Sequence, residues 1–572
     1  MFLGSRSRLR TAVIAAAVGA GVLTAATPAA AAPAAGTRAY LVITAPGATA
    51  GAATAVSSNG GTVWTSYDAI GVIVAHSGAA DFATKMRTIS GVQKVGATRT
   101  SDIPAEAANP PIPAAKSQAA PSTTEPVRSD MTQIGADKAW AKNLGSSSVT
   151  VGVLDTGVDD LHDDLKGNFD AANSGSCAYG KLDTRAGSWR DTDTHGTHVA
   201  GTIAAAKNGR GVIGVAPGVK IASVRIAEKP SGLFFPENTI CAMVFSGDRG
   251  FEVTNNSYYT DPWLFNCPDN ADQDAILEGV KRAVAYAEGK GVLSVAAAGN
   301  ENYNLASKSR DTTSPNDSTP ATRTVTNACL SVPTEVSGVV SVASITSGNA
   351  KSSFSNFGTD KIHVAAPGDS VYSTVPGGGY GSKSGTSMAS PHVAGVAALL
   401  KSTNPTATPA QLRTLLVTQA DDLSCTDSRC SGTTAKNNFF GEGRADAYAA
   451  VDTGTPPGNS FENTADVAIP DAGAAVTSPI TVSGVTGNAP ATLKVDVNIV
   501  HTYRGDLVID LIAPDGTAYR LKASSSNDSA DNVVATYTVN ASSEVANGTW
   551  KLQVKDVAAQ DTGYINSWKL TF

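Results

Sequence analysis

The chain is short of charge. Only 16% of its 572 residues are Asp, Glu, Lys or Arg, and no block of five or six basic residues occurs. With a formal net charge of −7 as well, nucleic acid is not an expected partner. The six cysteines, Cys177, Cys241, Cys267, Cys329, Cys425 and Cys430, include no CxxC pair, which removes the usual spacing of a zinc site. Beyond the N-terminal segment there is no run of about 18 uncharged apolar residues, so no membrane span or anchor is expected there. What the chain has instead is 42% hydrophobic residues and 55 glycines, enough for large buried cores and too apolar for disorder. Its length points to several domains.

The N-terminus reads as an export signal over residues 1–32. Arg6, Arg8 and Arg10 precede an apolar run from Ala12 to Ala26, and Pro28 to Ala32 supplies the small residues a signal peptidase accepts. A secreted, extracellular protein follows, and an even number of cysteines then favours disulfides, although six allow 15 connectivities.

Residues 33–100 form the next segment. Strands at Tyr40–Ile43, Thr62–Ser66, Gly71–Ala75 and Gln93–Thr98 alternate with helices at Ala48–Ser58 and Ala79–Thr88, a β-α-β-β-α-β order that suits a small ferredoxin-like α+β domain. Residues 101–125 are rich in Pro, Ala and Ser without periodicity, a linker of the kind that is cleaved easily. Over 126–452 short apolar runs at Val149–Leu154, Ile221–Ile226, Phe251–Thr254, Val292–Ala297 and Val339–Ala343 alternate with helical stretches such as Ala275–Glu288. This predicts an α/β domain with a mostly parallel sheet covered on both faces. A Pro-Pro linker at 453–459 leads to residues 460–572, whose alternating apolar positions (Leu493, Val495, Val497, Ile499; Trp550, Leu552, Val554) predict an all-β, jelly-roll-like sandwich.

Three segments carry chemistry. Val151-Gly-Val-Leu-Asp155-Thr-Gly places a carboxylate at a strand end. His195-Gly-Thr-His-Val-Ala-Gly opens a small-residue helix with a histidine, and Gly385-Thr-Ser387-Met-Ala-Ser-Pro-His-Val-Ala-Gly starts a helix with a serine. Acyl transfer needs a nucleophile, a base and a carboxylate that fixes the tautomer of the base. Strand ends and helix starts on one edge of a parallel sheet bring such groups together. Each piece has a plainer reading alone: a turn for Asp155, a metal pair for His195 with His198, a helix cap for Ser387. Asp-Thr-Gly is also the motif of aspartic peptidases, but its other copies, at Asp452 and Asp561, lie in a Pro-rich linker and a polar turn. A lipase-type elbow would need Gly where Ala389 stands. The intact set argues equally against an inert α/β domain carrying a β-sandwich binding module.

These motifs, over roughly residues 127–451, closely resemble those of the subtilisin-like peptidases. The resemblance implies a subtilisin-like fold and a serine endopeptidase in which Asp155 orients His195, His195 is general base and acid, and Ser387 attacks the scissile carbonyl. It implies that Asn300, in Val295-Ala-Ala-Ala-Gly-Asn300, donates to the oxyanion together with the Ser387 backbone N–H. Substrate would lie between Gly232-Leu233-Phe234 and Ser257-Tyr258-Tyr259, with Ala297, Ala298 and Gly299 lining the pocket. Many relatives have Leu-Gly-Gly after the serine equivalent to Ser257, and the tyrosines here put a wide S1 pocket in doubt.

Residues 33–100 resemble the family's inhibitory propeptide, which makes the protein a self-processing zymogen inhibited by its own N-terminal segment. Residues 460–572 resemble the P domain of proprotein convertases in Arg504-Gly-Asp-Leu and Thr562-Gly-Tyr-Ile-Asn-Ser-Trp. The catalytic motifs are not those of convertases, which carry His-Gly-Thr-Arg-Cys. The family's calcium loop matches Ala204–Pro217 in length, with Asp164, Asn208 and the carbonyls of Ala206, Arg210 and Val212 around a structural calcium ion. No cofactor is expected for catalysis, and the chain is expected to be a monomer whose partners are protein and peptide substrates. Cys425 and Cys430 are close enough for a local bridge, while family topology implies Cys177–Cys241 and Cys267–Cys329, the latter tying the two walls of the pocket.

Overall fold

The computed structural model describes residues 36–425, 427–452, 460–483, 485 and 487–572. The expected signal at 1–32 and the linker at 453–459 lie outside the described residues. The N-terminal unit contains strands β1 (Arg38–Thr44), β2 (Gly61–Tyr67), β3 (Val72–Ser77) and β4 (Val92–Ala97) with helices α1 (Thr49–Ser58) and α2 (Phe82–Met86). Its antiparallel sheet has the order β2-β3-β1-β4, the ferredoxin-like arrangement that the β-α-β-β-α-β sequence implies.

The central domain is built on seven strands, β5 (Thr150–Asp155), β6 (Gly175–Ser176), β7 (Lys220–Arg225), β8 (Val253–Asn256), β9 (Leu293–Ala297), β10 (Val340–Ile345) and β11 (Val364–Pro367). All neighbours pair in parallel, in the order β11-β10-β9-β8-β5-β7-β6. Parallel strands need crossovers, which cover both faces and make the strands read as unbroken apolar runs. One face carries α3 (His195–Ala204) and α6 (Thr386–Thr403), whose small side chains sink into the largest core cluster with Val151, Val215 and Val342. The other carries α4 (Pro236–Arg249) and α5 (Ala271–Gly289). Local chemistry sets their ends. Pro236 starts α4 and Gly250 ends it with φ 66°, while the Asn270 side chain caps α5 by accepting from the N–H groups of Asp272 and Gln273.

The N-terminal sheet docks on α4 and α5. Leu41, Ile43, Ile70, Val72 and Val74 share one core with Ile240, Met243, Ile276 and Val280. Around it Arg87 and Lys94 pair with Asp272 and Asp274, and the Ala97 N–H donates to Asp272. Residues 101–125 are largely exposed, as expected of a linker, but they run pinned along the central domain. Arg185 donates to the Pro110 carbonyl, Gln118 to Asp159, and Ala119 N–H to Gly377 O. The C-terminal residues form two antiparallel sheets around Trp550, Trp568, Leu511 and Ile499. The cysteines pair as Cys177–Cys241, Cys267–Cys329 and Cys425–Cys430.

Docking is tightest at Gly96 in β4, where an added Cβ would lie 2.5 Å from Asp272 Cα and 2.6 Å from its carbonyl oxygen. Gly96→Val should therefore weaken docking by about 1–3 kcal/mol. Hydrogen exchange on the inactive full-length chain checks this. β4 and α5 should lose protection while the C-terminal sheets keep theirs, and unchanged β4 protection would refute it.

Candidate active site

Asp155 ends β5 with no exposure to solvent. Its Oδ1 accepts from Thr156 N–H at 2.7 Å and from His195 Nδ1 at 2.7 Å. A carboxylate only accepts, so Nδ1 carries the proton and Nε2 of the neutral ring is left as a base. Burial works to lower the His195 pKa, but the Asp155 charge and hydrogen bond outweigh it, and the imidazole ends above its usual 6.5. The loop holding His195 is tied to the loop after β5 by Asp191, which accepts from Thr156 Oγ1 (2.8 Å), Thr197 N (2.9 Å) and Thr197 Oγ1 (2.5 Å). Gly196 is required here because a side chain would strike the Gly157 carbonyl.

His198 does not join His195 in a metal pair. Its ring is buried, donates from Nε2 to the carbonyls of Val371 and Gly381, and is held neutral by burial, with a pKa lowered to about 4. Nor do the other Asp-Thr-Gly copies approach Asp155 as partners: Asp452 pairs with Lys142, and Asp561 accepts from Thr502.

Ser387 is the second residue of α6, so its N–H belongs to the unpaired first turn of a helix. Its hydroxyl donates to the Ser257 carbonyl at 3.1 Å, and Ser257 Oγ donates back to the Ser387 carbonyl at 2.8 Å. Among the described residues no hydrogen bond joins Ser387 to His195. Rotation about χ1 is what would transfer the hydroxyl from Ser257 to a base. Asn300 accepts through Oδ1 from Thr386 N (2.8 Å) and Thr386 Oγ1 (2.9 Å), which turns its NH2 group to the open side. Thr386, absent from the sequence reading, thus orients the amide. It was legible only as the residue before the serine.

A cavity of about 280 Å³ adjoins Ser387, lined by Gly232–Phe234, Ser257–Tyr259, Ala297, Gly299 and Asn300. Ala298 is not part of it. Strand alternation turns Ala298 into the core with Ala343 and Phe357, and its carbonyl accepts from Asn356 Nδ2. The tyrosines do not plug the cavity: Tyr258 stacks on Phe234 at 5.0 Å, and Tyr259 packs with Leu264 and Leu305.

Residues 146–443 match the model of the subtilase family, and residues 490–572 match that of the proprotein convertase P-domain. The chain belongs to the subtilase family, the subtilisin-like serine endopeptidases. It is 30% identical over 510 residues to the extracellular basic protease of Dichelobacter nodosus, covering 77% of this chain and 75% of that protein. It is 65% identical over 155 residues to leupeptin-inactivating enzyme 1 of Streptomyces exfoliatus, covering 26% of this chain. The chain spans only 35% of that relative's length. The crystal structure of the epidermin leader peptide processing serine protease of Staphylococcus aureus shares its fold, with a TM-score of 0.57 at 20% identity. That match covers 73% of this chain and 99% of the other.

Asp164 and Asn208, two of the residues expected around calcium, are hydrogen-bonded to each other. The Asp164 carboxylate, fully buried, accepts from Asn208 Nδ2 (3.2 Å), Val212 N (3.0 Å) and Tyr380 OH (2.9 Å). A second carboxylate, Glu125 at the end of the linker, accepts from the N–H groups of Asn208 (2.8 Å) and Gly209 (2.9 Å) and was not foreseen. Carboxylate and amide oxygens are donor types that calcium takes, and here the Asn208 Oδ1 accepts from the Arg210 N–H at 3.0 Å. Among the described residues no group of three or more His, Cys, Asp or Glu could hold a metal.

Asp261 is a third residue the sequence reading missed, for nothing marks it beyond its place four residues after Ser257. It lines the cavity almost wholly buried, with Oδ2 accepting from Phe234 N (2.6 Å) and Oδ1 from Asn316 Nδ2 (2.6 Å). Burial pushes its pKa up to about 7 against those hydrogen bonds. Between the unfolded value near 3.8 and about 7 the native state holds a proton the unfolded chain has lost, so stability falls as pH rises through that window. Asp261→Asn should remove a slope of up to about 1.4 kcal/mol per pH unit. Urea unfolding of both proteins from pH 4.5 to 7.5, in an inactive background, reads it. A difference that stays constant with pH would refute the assignment.

Proposed function

We propose that this subtilase is an exported endopeptidase, made as a zymogen, that cleaves peptide bonds through Ser387, His195 and Asp155. The observation that carries the reading is the 2.7 Å bond from His195 Nδ1 to a carboxylate with no access to water, which leaves Nε2 free on the edge where α6 begins. In the reaction Ser387 Oγ rotates from Ser257 to His195, gives its proton to Nε2 and attacks the scissile carbonyl. The imidazolium is stabilised by Asp155 and returns the proton to the leaving amine. Negative charge on the carbonyl oxygen meets Asn300 Nδ2 and Ser387 N–H, donors already oriented before the reaction. Water then enters by the same base and releases the acyl group.

Residues 36–100 serve as the propeptide, docked on α4 and α5, and the bond cut in maturation lies within the pinned but exposed 101–125 segment. Calcium at Asp164, Asn208 and Glu125, with the carbonyls of Ala206, Arg210 and Val212, would hold the mature N-terminus against the loop. The P domain acts as a supporting module rather than as part of the cleft.

Ser387→Ala should abolish hydrolysis and leave residues 36–125 attached. The expected loss in kcat is about 10⁶-fold, the figure known for subtilisin itself. Normal self-maturation of that variant, expressed alone, would overturn the reading. Calcium removal should lower the melting temperature, because an ion that binds only the native state stabilises it. Equal melting in chelator and in millimolar calcium would show that Asp164 is served by its protein donors alone.

A further inference from the structure

Arg99, just beyond β4, is the most enclosed cation in the contact between the N-terminal unit and the central domain. Its guanidinium donates to both oxygens of Glu228, at 2.9 and 2.7 Å, and from Nε to Glu237 Oε1 at 3.1 Å, with Nη2 also on Glu237. The ring of Phe235 lies under it, 3.7 Å from the guanidinium carbon to the centroid. The side chains are nearly sealed, at 2% exposure for Arg99 and 1% for each glutamate. Glu237 keeps a second buried oxygen, Oε2, that accepts no hydrogen bond among the described residues. Beyond Arg99, Asp317 accepts from Thr100 N (2.7 Å) and from Ser101 N (2.9 Å) and Oγ (2.9 Å).

Every group that receives this Arg-Thr-Ser stretch belongs to the central domain. Removal of the propeptide therefore leaves two carboxylates without a cation, Glu228 keeping only the Asn238 Nδ2 donor at 3.1 Å, together with an uncovered aromatic face and an acceptor for two peptide N–H groups. Beside these groups lies a cavity of about 390 Å³, walled by Arg99, Ser101 and Pro104 on one side and by Glu228, Phe235 and Asp317 on the other, that is part of the cleft surroundings. Its Glu228–Ser231 loop also lines the depression holding His195, and Leu233 and Asn316 also line the cavity at Ser387.

We propose that the site formed by Glu228, Glu237, Phe235 and Asp317, vacated on maturation, is a subsite for an arginine side chain of a peptide substrate, remote from the scissile bond. The inference rests on the propeptide being shed. The chemistry selects arginine over lysine. A planar fork meets Glu228 through two parallel bonds, reaches Glu237 from a third N–H and lies flat on Phe235, whereas an ammonium is a point charge that cannot do all three. A neutral isostere of the same shape would leave the two buried carboxylates without a counter-charge. Asp317 reads the following two residues through backbone N–H groups that any peptide supplies, with a further contact where a hydroxyl follows.

The test uses mature wild-type enzyme acylated at its serine so that probes are not cleaved. Intact mass comes first: a chain that keeps residues 36–100 overturns the maturation reading itself, and with it the vacancy. With the propeptide gone, three peptides of the Gly96–Ile103 sequence are compared, carrying arginine, lysine or citrulline at the Arg99 position. The arginine peptide should bind at least tenfold more tightly than the citrulline peptide, with lysine between them. Glu228→Gln in the enzyme should shrink that ratio several-fold. Equal affinities in the wild-type enzyme would overturn the subsite alone, as would be seen if Lys229, on the same loop, turned inward to neutralise the glutamates. The comparison does not depend on the variant folding, since it changes only the peptide.

Discussion

A carboxylate held wholly out of water is the constraint on which the site depends. Asp155 cannot be solvated, so its charge must be met by the Thr156 N–H and the His195 ring, and any movement of either would strand it. His195 must therefore stay fixed while remaining open to the cleft on its other side. Asp191 supplies that rigidity by binding the loops of both residues at once, through Thr156 and Thr197. The parallel sheet then does the rest by geometry. Strands β5, β8 and β9 deliver Asp155, Ser257 and Asn300 at their carboxyl ends, and α6 begins beside them with Ser387.

Much of this was legible in the sequence because it is local. Apolar runs marked the central strands, and the N-terminal β-α-β-β-α-β order was visible from the succession of short strand and helix stretches. The three motifs named Asp155, His195 and Ser387, and Cys425–Cys430 followed from spacing. What remained hidden depends on partners far apart in the chain. Asp261 is one acid among many until Phe234 and Asn316 close over it. Arg99 reads as a solvated charge until Glu228 and Glu237, about 130 residues later, enclose it. Ala298 was misplaced for the opposite reason, since a run of three alanines carries no sign of which one faces the core.

Charge divides unevenly across the contact between the N-terminal unit and the central domain. The first turn of α5 presents Asp272 and Asp274, which favour that end of a helix, and the N-terminal unit answers with Arg87 and Lys94. These pairs are partly exposed, and such pairs contribute about 0–1 kcal/mol each, weakening further in salt. Arg282 adds a reverse contact, donating to the Thr44 and Ile70 carbonyls. Specificity of docking thus falls to the shared apolar core and to the sealed Arg99 cluster, where a mismatch leaves a buried charge.

The position of that contact also bears on how the large sheet assembles. Strand β8 is the middle of the seven, and α4 and α5 are the crossovers on either side of it in sequence, from β7 to β8 and from β8 to β9. A parallel sheet gains no pairing until such crossovers close, so loop-closure entropy precedes the contacts that offset it. A preformed antiparallel sheet that holds both helices in one orientation fixes two consecutive crossovers before β8 is paired. The N-terminal unit is suited to this because its own strand pairings close over a few tens of residues, between 38 and 97, and so form without waiting for the rest of the chain. Gly96 is where this matters most, since β4 meets the backbone of α5 there with no side chain between them.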